Sequence, residues 1–138
     1  MPSLLYLSVA SLHILVESRL NTDMCSGISH ARSVYSIEFQ YADGTSMLFG
    51  TPHPSAKSTD FALDADSGEM LIGFCVRADE WVEAIKVLTN KKESPWMGNM
   101  DCRRVFWLRP PQGYEIIGVC GNVGICCDAF GVVYTSTT

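Results

Sequence analysis

This chain of 138 residues is poor in helical periodicity, poor in positive charge and without an apolar run long enough to cross a bilayer. Ten Lys and Arg stand against 15 Asp and Glu, a formal net charge of −5. The basic residues form no dense stripe beyond Lys91-Lys92 and Arg103-Arg104, so a phosphate backbone has nothing to neutralise and nucleic acid is not an expected partner. The longest apolar stretch, residues 4–16, is interrupted by serines and by His13, which leaves no membrane span. Its length would suit a signal-peptide core, but no Lys or Arg precedes it and no small-x-small site follows before Arg19. The expectation is a cytoplasmic protein, with secretion as the alternative.

The constellations that catalysis needs are scarce as well. The three histidines, His13, His30 and His53, lie beside no serine or cysteine nucleophile with a positioned acid. No glycine-rich phosphate loop follows a strand and opens a helix. Acidic pairs such as Asp64 with Asp66 or Asp79 with Glu80 read as solvated turns. The six cysteines, Cys25, Cys75, Cys102, Cys120, Cys126 and Cys127, contain no C-x-x-C pair. Adjacent Cys126 and Cys127 would point to opposite faces of a strand, which disfavours a shared metal. Neither an enzyme nor a metal or other cofactor is expected. The cysteines lack the dense spacing of a disulfide scaffold, so Cys75 and Cys120 are expected as buried free thiols.

What the chain does have is a repeat. Residues 61–89 can be laid on residues 106–134 without a gap: Phe61, Leu63, Gly68, Ile72, Gly73, Cys75, Ala84 and Val87 meet Phe106, Leu108, Gly113, Ile117, Gly118, Cys120, Ala129 and Val132. Glu83 meets Asp128. A fainter third copy, residues 33–50, falls on 81–98 and matches Val34, Ile37, Ser46 and Gly50 with Val82, Ile85, Ser94 and Gly98. Such a period marks one supersecondary unit whose copies must share a core. A hydrophobic content of 47% supports a single globular domain. Val34–Tyr41, Met70–Val76 and Tyr114–Cys120 are short and rich in β-branched and aromatic residues, which predicts strands. Asp43-Gly44 closes a hairpin, while Ser67-Gly68 and Pro110-Pro111-Gln112-Gly113 mark turns. Over Arg77–Leu88 a helical stripe competes, but glycines flanking its repeat partner favour turn and strand. The fold class is all-β and mainly antiparallel.

In order and spacing the segments Trp81–Ile85, Thr89-Asn90-Lys91, Ser94–Gly98, Gly113–Gly118 and Gly121–Tyr134 resemble the jacalin-related lectins over roughly residues 30–135. The resemblance implies a β-prism of three antiparallel Greek-key sheets about a pseudo-threefold axis. It divides the chain into a divergent N-terminal segment, 1–29, and a lectin-type domain, 30–138. It also implies a non-enzymatic glycan-binding protein, with mannose- or glucose-type hexoses preferred because the chain looks like the unprocessed branch of the family.

The family's sugar lies against a G-x-x-x-D turn, matched here by Gly124-Ile125-Cys126-Cys127-Asp128. By resemblance, the Asp128 carboxylate accepts from two neighbouring hydroxyls, Ile125 and Cys126 supply main-chain donors, and Gly124 lets the backbone approach closely. The family's first glycine-rich loop has no counterpart, since residues 1–30 contain only Gly27. In the repeat partner of the site Asp79 and Glu83 replace glycine and aspartate, and the third copy has Tyr35 in place of the acid. The missing loop, together with Ile125 and Cys126 where the family's turn often carries an aromatic, motivates an alternative: a prism without sugar binding that serves as an interaction or oligomerisation module or holds a small apolar ligand. Residues 1–30 are expected to complete the sheet of the last repeat. An edge left open there would pair with another chain, so a homodimer is a further expectation.

Overall fold

A computed structural model describes residues 8–16, 34–54, 56–78, 82–98, 104–121 and 130–137. These residues form strands β1 (Val9–Val16), β2 (Val34–Tyr41), β3 (Ser46–Gly50), β4 (Lys57–Ala62), β5 (Leu71–Ala78), β6 (Val82–Thr89), β7 (Met97–Gly98), β8 (Val105–Leu108), β9 (Tyr114–Cys120) and β10 (Gly131–Ser136). Among them the only helical turn is a short 3-10 segment, Ala65–Ser67, closed by Gly68 in the left-handed region. The segment 77–88 holds the end of β5 and most of β6, as the glycine argument expects.

The strands make three antiparallel sheets, ordered β3-β2-β1-β4, β7-β6-β5-β8 and β10-β9. The internal repeat is realised down to register. Gly73 faces Leu88 and Phe74 faces Val87; in the last unit Gly118 faces Val133 and Val119 faces Val132. Each hairpin skips one residue of its first strand at the same place: Ile72 in β5, Ile117 in β9 and Ala10 in β1. These are β-bulges, which sharpen the twist that curls each sheet around the shared core.

β1 departs from expectation. Val9–Val16 pairs with β2 and β4 in the first sheet, and not with the last repeat. The third copy therefore has a first strand of its own. The repeat hides it because residues 17–33 intervene before β2. A hairpin whose two strands are far apart in sequence loses the constant spacing by which a copy is recognised.

The core lies on the axis between the sheets. Phe39 from the first sheet meets Phe74 from the second edge-to-face at 6.4 Å, and Phe74 meets Phe130, at the head of β10, at 5.4 Å. Leu12, Ile14, Ile37, Leu71, Ile85, Val87 and Ile116 fill the layers around them. Alternate strand residues face inward, and each bulge shifts that alternation by one, so Val9 and Leu12, Val34 and Ile37, Leu71 and Phe74, and Val82 and Ile85 all reach the core.

Candidate functional site

In the three long hairpins β1 and β2 are separated by residues 17–33, β5 and β6 by 79–81, and β9 and β10 by 121–130. The last carries the sequence-predicted site. Gly124, Ile125, Cys126 and Asp128 lie outside the described residues, as do Asp79, Glu80 and Trp81 of the repeat partner. The frame of the site is described. Gly131 faces Cys120 at the base of the hairpin. Beside it Phe130 packs edge-to-face on Phe49 at 5.8 Å as well as on Phe74. Such aromatic pairs contribute about 0.5–1.5 kcal/mol beyond their burial, so the turn leaves from an anchored base.

The positions that the repeat equates with Asp128 have a distinct geometry. Between Leu15 and Val16 the partner strand skips Tyr35, and between Arg77 and Ala78 it skips Glu83. Both are second residues of their strands, and both are bulged. The carbonyl of each crowds a glycine on the third strand: a Cβ built on Gly50 would stand 2.2 Å from the Tyr35 carbonyl, and one on Gly98 would stand 2.2 Å from that of Glu83. These glycines have φ of +98° and +119°, a conformation L side chains rarely adopt. The sequence matches Gly50 with Gly98 but says nothing of the bulge that needs them. Tyr35 is buried and stacked 4.8 Å beneath the exposed ring of His53, so this copy offers no charged acceptor.

The opposite end of the prism is held by polar contacts. The buried Glu69 carboxylate accepts from the Asp64 N–H at 2.7 Å and the Thr89 hydroxyl at 2.6 Å, with Lys92 Nζ at 3.7 Å. Burial works against its ionisation, but these donors outweigh burial and hold it below the usual carboxylate range. Glu115 is buried with a weaker partner, the Ser8 hydroxyl at 3.3 Å, and burial pushes its carboxyl up. A cleft of about 300 Å³ opens between the first and third sheets, lined by Tyr41, Met47, Ile117, Gly118, Val119 and Val133. The Tyr41 hydroxyl donates to the Ile117 carbonyl at 2.5 Å across its floor.

The two repeat-equivalent thiols part company. Cys75 is buried as expected, but Cys120 is exposed. Trp107 of β8 lies opposite Cys75 on one side and Lys86 on the other, whereas no described strand flanks β9 beyond β10. Among the described residues no cluster of three or more His, Cys, Asp or Glu could hold a metal ion. No described helix is long and apolar enough to cross a membrane.

Comparison with known proteins places this architecture. A family model described as the jacalin-like lectin domain matches residues 24–133. A protein of Schizosaccharomyces pombe, named provisionally as a zinc metalloproteinase, is 32% identical over 99 residues. That match covers 69% of this chain and 15% of the relative. A Saccharomyces cerevisiae protein named in the same way is 41% identical over 90 residues, which are 64% of this chain and 12% of its own length. This chain therefore spans a small fraction of the curated relatives it matches. Among solved structures, a prostate-specific WGA16 glycoprotein lectin aligns with a TM-score of 0.73 at 18% identity, over 94% of this chain and 83% of that one. The lectin MPA, solved with T-antigen disaccharide, aligns at 0.71 and 14% identity over 93% and 92%. PirB aligns at 0.73 and 15% identity over 95% of this chain and 30% of its own. At these identities the likeness is one of fold.

Proposed function

From the premise that this chain belongs to the jacalin-like lectin family, we propose that it is a non-catalytic carbohydrate-binding domain that takes mannose- or glucose-type hexoses at the Gly124–Asp128 turn. The observation that carries this reading is that the family match runs through the whole G-x-x-x-D segment while the repeat sets Asp128 at the position of the bulged residues Tyr35 and Glu83. A bulge turns a side chain out of the strand's alternation. A carboxylate at this position of the family's turn can accept from two adjacent sugar hydroxyls. Ile125 and Cys126 supply the main-chain donors. Phe130, packed on Phe49 and Phe74 at the base of the hairpin, would lower the ordering cost of binding.

The test is an NMR titration with mannose, glucose and galactose of the wild type beside Asp128→Ala. Amides from Gly121 to Gly131 should shift at millimolar mannose or glucose, less with galactose, and not at all in the variant. Unmoved amides in the wild type, or equal binding by Asp128→Ala, would sink the proposal.

A second reading is favoured by the cleft of about 300 Å³ between Tyr41, Met47 and Val133, whose lining is largely apolar. In that reading a small apolar ligand sits between two sheets and the sugar turn is vestigial. An anilinonaphthalene dye should then brighten on binding and be displaced by Val133→Trp, with Asp128→Ala inert.

A further inference from the structure

Edge strands that occupy equivalent places in the first two sheets are treated in opposite ways. β4 borders the first sheet through β1, and β8 borders the second through β5. The repeat superposes Asp60, Phe61 and Ala62 of β4 on Val105, Phe106 and Trp107 of β8. On β4, Lys57 and Asp60 guard the edge, and Asp60 accepts from His13 Nδ1 at 2.5 Å. Charge on an exposed edge is the usual defence against pairing with another chain. β8 has given up that defence. Its Val105, Phe106 and Trp107 are 38%, 45% and 56% exposed, three consecutive large apolar side chains on both faces of one strand.

The main chain of β8 is equally open. The Ala78 N–H donates to the Arg104 carbonyl at 3.1 Å, which makes Ala78 and Arg104 a hydrogen-bonded pair. Antiparallel pairs alternate, so Phe106 and Leu108 bond toward β5, and the N–H and C=O groups of Val105 and Trp107 point away from it. Among the described residues no strand receives them.

The charge along this edge selects the occupant. Arg109 stacks on the Trp107 ring at 4.8 Å and has no carboxylate partner among the described residues. Arg104 lies 6.0 Å from the Phe106 ring at the other end. Lys86 and Arg77 flank Trp96 on the outer face of the same sheet, where Lys86 is already paired with Glu93 at 3.3 Å. The edge itself runs from Arg104 to Arg109 without a carboxylate, on a chain of net charge −5. A second copy of β8, laid antiparallel so that Val105 faces Trp107, would bring the arginine-bearing ends of both strands together, which like charge opposes.

We propose that β8 is a docking edge for an extended segment of another protein, apolar at alternate positions and carrying carboxylates at its ends, which adds as a strand beside Val105 and Trp107. Main-chain bonds to those two residues give the attachment, Phe106 and Trp107 cover its apolar side chains, and Arg109 receives an end carboxylate. The proposal is independent of sugar binding, since it uses none of the residues 121–131.

Fluorescence anisotropy of the full chain tests it with two short labelled peptides of alternating valine and threonine, one ended by glutamates and the other by lysines. The glutamate peptide should bind about tenfold or more tightly than the lysine peptide, the effect of paired against opposed end charges. Val105→Pro removes an outward N–H without touching the ladder to β5, and should abolish binding while Cys75 stays protected from alkylation beneath β8. Arg109→Glu, an exposed change, should reverse the preference between the peptides. Equal affinity for the two peptides, undiminished binding by Val105→Pro, or no reversal with Arg109→Glu would overturn the proposal. So would a concentration-dependent dimer that the glutamate peptide cannot dissociate, since it would assign the edge to a second copy.

Discussion

At the residue scale, the most demanding positions are two glycines. Gly50 and Gly98 sit against the bulge carbonyls of Tyr35 and Glu83 and combine positive φ with no room for a methyl group. Gly44 shares the positive φ, at +90°, but a Cβ there meets nothing within 4 Å. The two costs separate cleanly. Gly44→Ala should lose about 1 kcal/mol from backbone strain alone. Gly98→Ala should lose about 3 kcal/mol or more, because the carbonyl or the strand must move as well. Urea unfolding of both variants measures the difference. Equal losses would mean that the bulge yields freely. The sequence already aligned Gly50 with Gly98, but a repeated glycine states only that a side chain is unwelcome. The reason lies in the backbone of another strand.

At the scale of the element, one unit gives different environments to identical residues. Cys75 and Cys120 hold the same place in β5 and β9, with partners Lys86 and Gly131 in the same register. β5 has a neighbour on each side, β6 and β8, while β9 has β10 alone among the described strands. Burial pushes the Cys75 thiol up, against the pull of Lys86, Arg77 and Arg109. A thiol reacts as its thiolate and only when reached. Cys120 should therefore be alkylated by iodoacetamide in the native protein within minutes, and Cys75 only on unfolding, as read by mass spectrometry of the peptides. Early modification of Cys75 would show that β8 opens away from β5. Much of the local structure was legible beforehand: the Asp43-Gly44 hairpin, a strand in place of a helix within Arg77–Leu88, and the breaks at Ser67-Gly68 and Pro110–Gly113 all follow from local chemistry. The equal burial expected of the two cysteines did not hold, since a repeat records the unit and not what lies beside it.

At the scale of the whole molecule, two buried carboxylates at one end of the prism give stability opposite dependences on pH. Glu69 has a lowered folded-state value, so it contributes stability above its unfolded-state pKa, and that contribution is lost as pH falls through the folded value. Glu115 has a raised value, so its ionisation burdens the folded state at high pH, and the burden lifts as pH falls through the folded value toward the unfolded one. Thermal melts across pH should show it. Glu115→Gln should lose the part of the stability that wild type gains on mild acidification. Glu69→Gln should melt lower at neutral pH, with a smaller further loss in acid. The same dependence in both variants and in wild type would contradict the burial and hydrogen bonding assigned here.

The chain alone determined that three similar strand units share one core, where the strands Val34–Tyr41 and Tyr114–Cys120 lie, and which segment resembles a sugar-binding turn. These are short-range matters, since the period of two, the turn residues and the spacing of copies are all written within one unit. Only the tertiary structure decided that β1 completes the first sheet, that β4 borders β1 while β8 borders β5, and that Cys75 is covered while β8 lies bare. Each of those depends on which strand comes to lie across from which. Burial and edge exposure are set by such long-range neighbours, so two stretches that match residue for residue acquire different surroundings only when the chain closes.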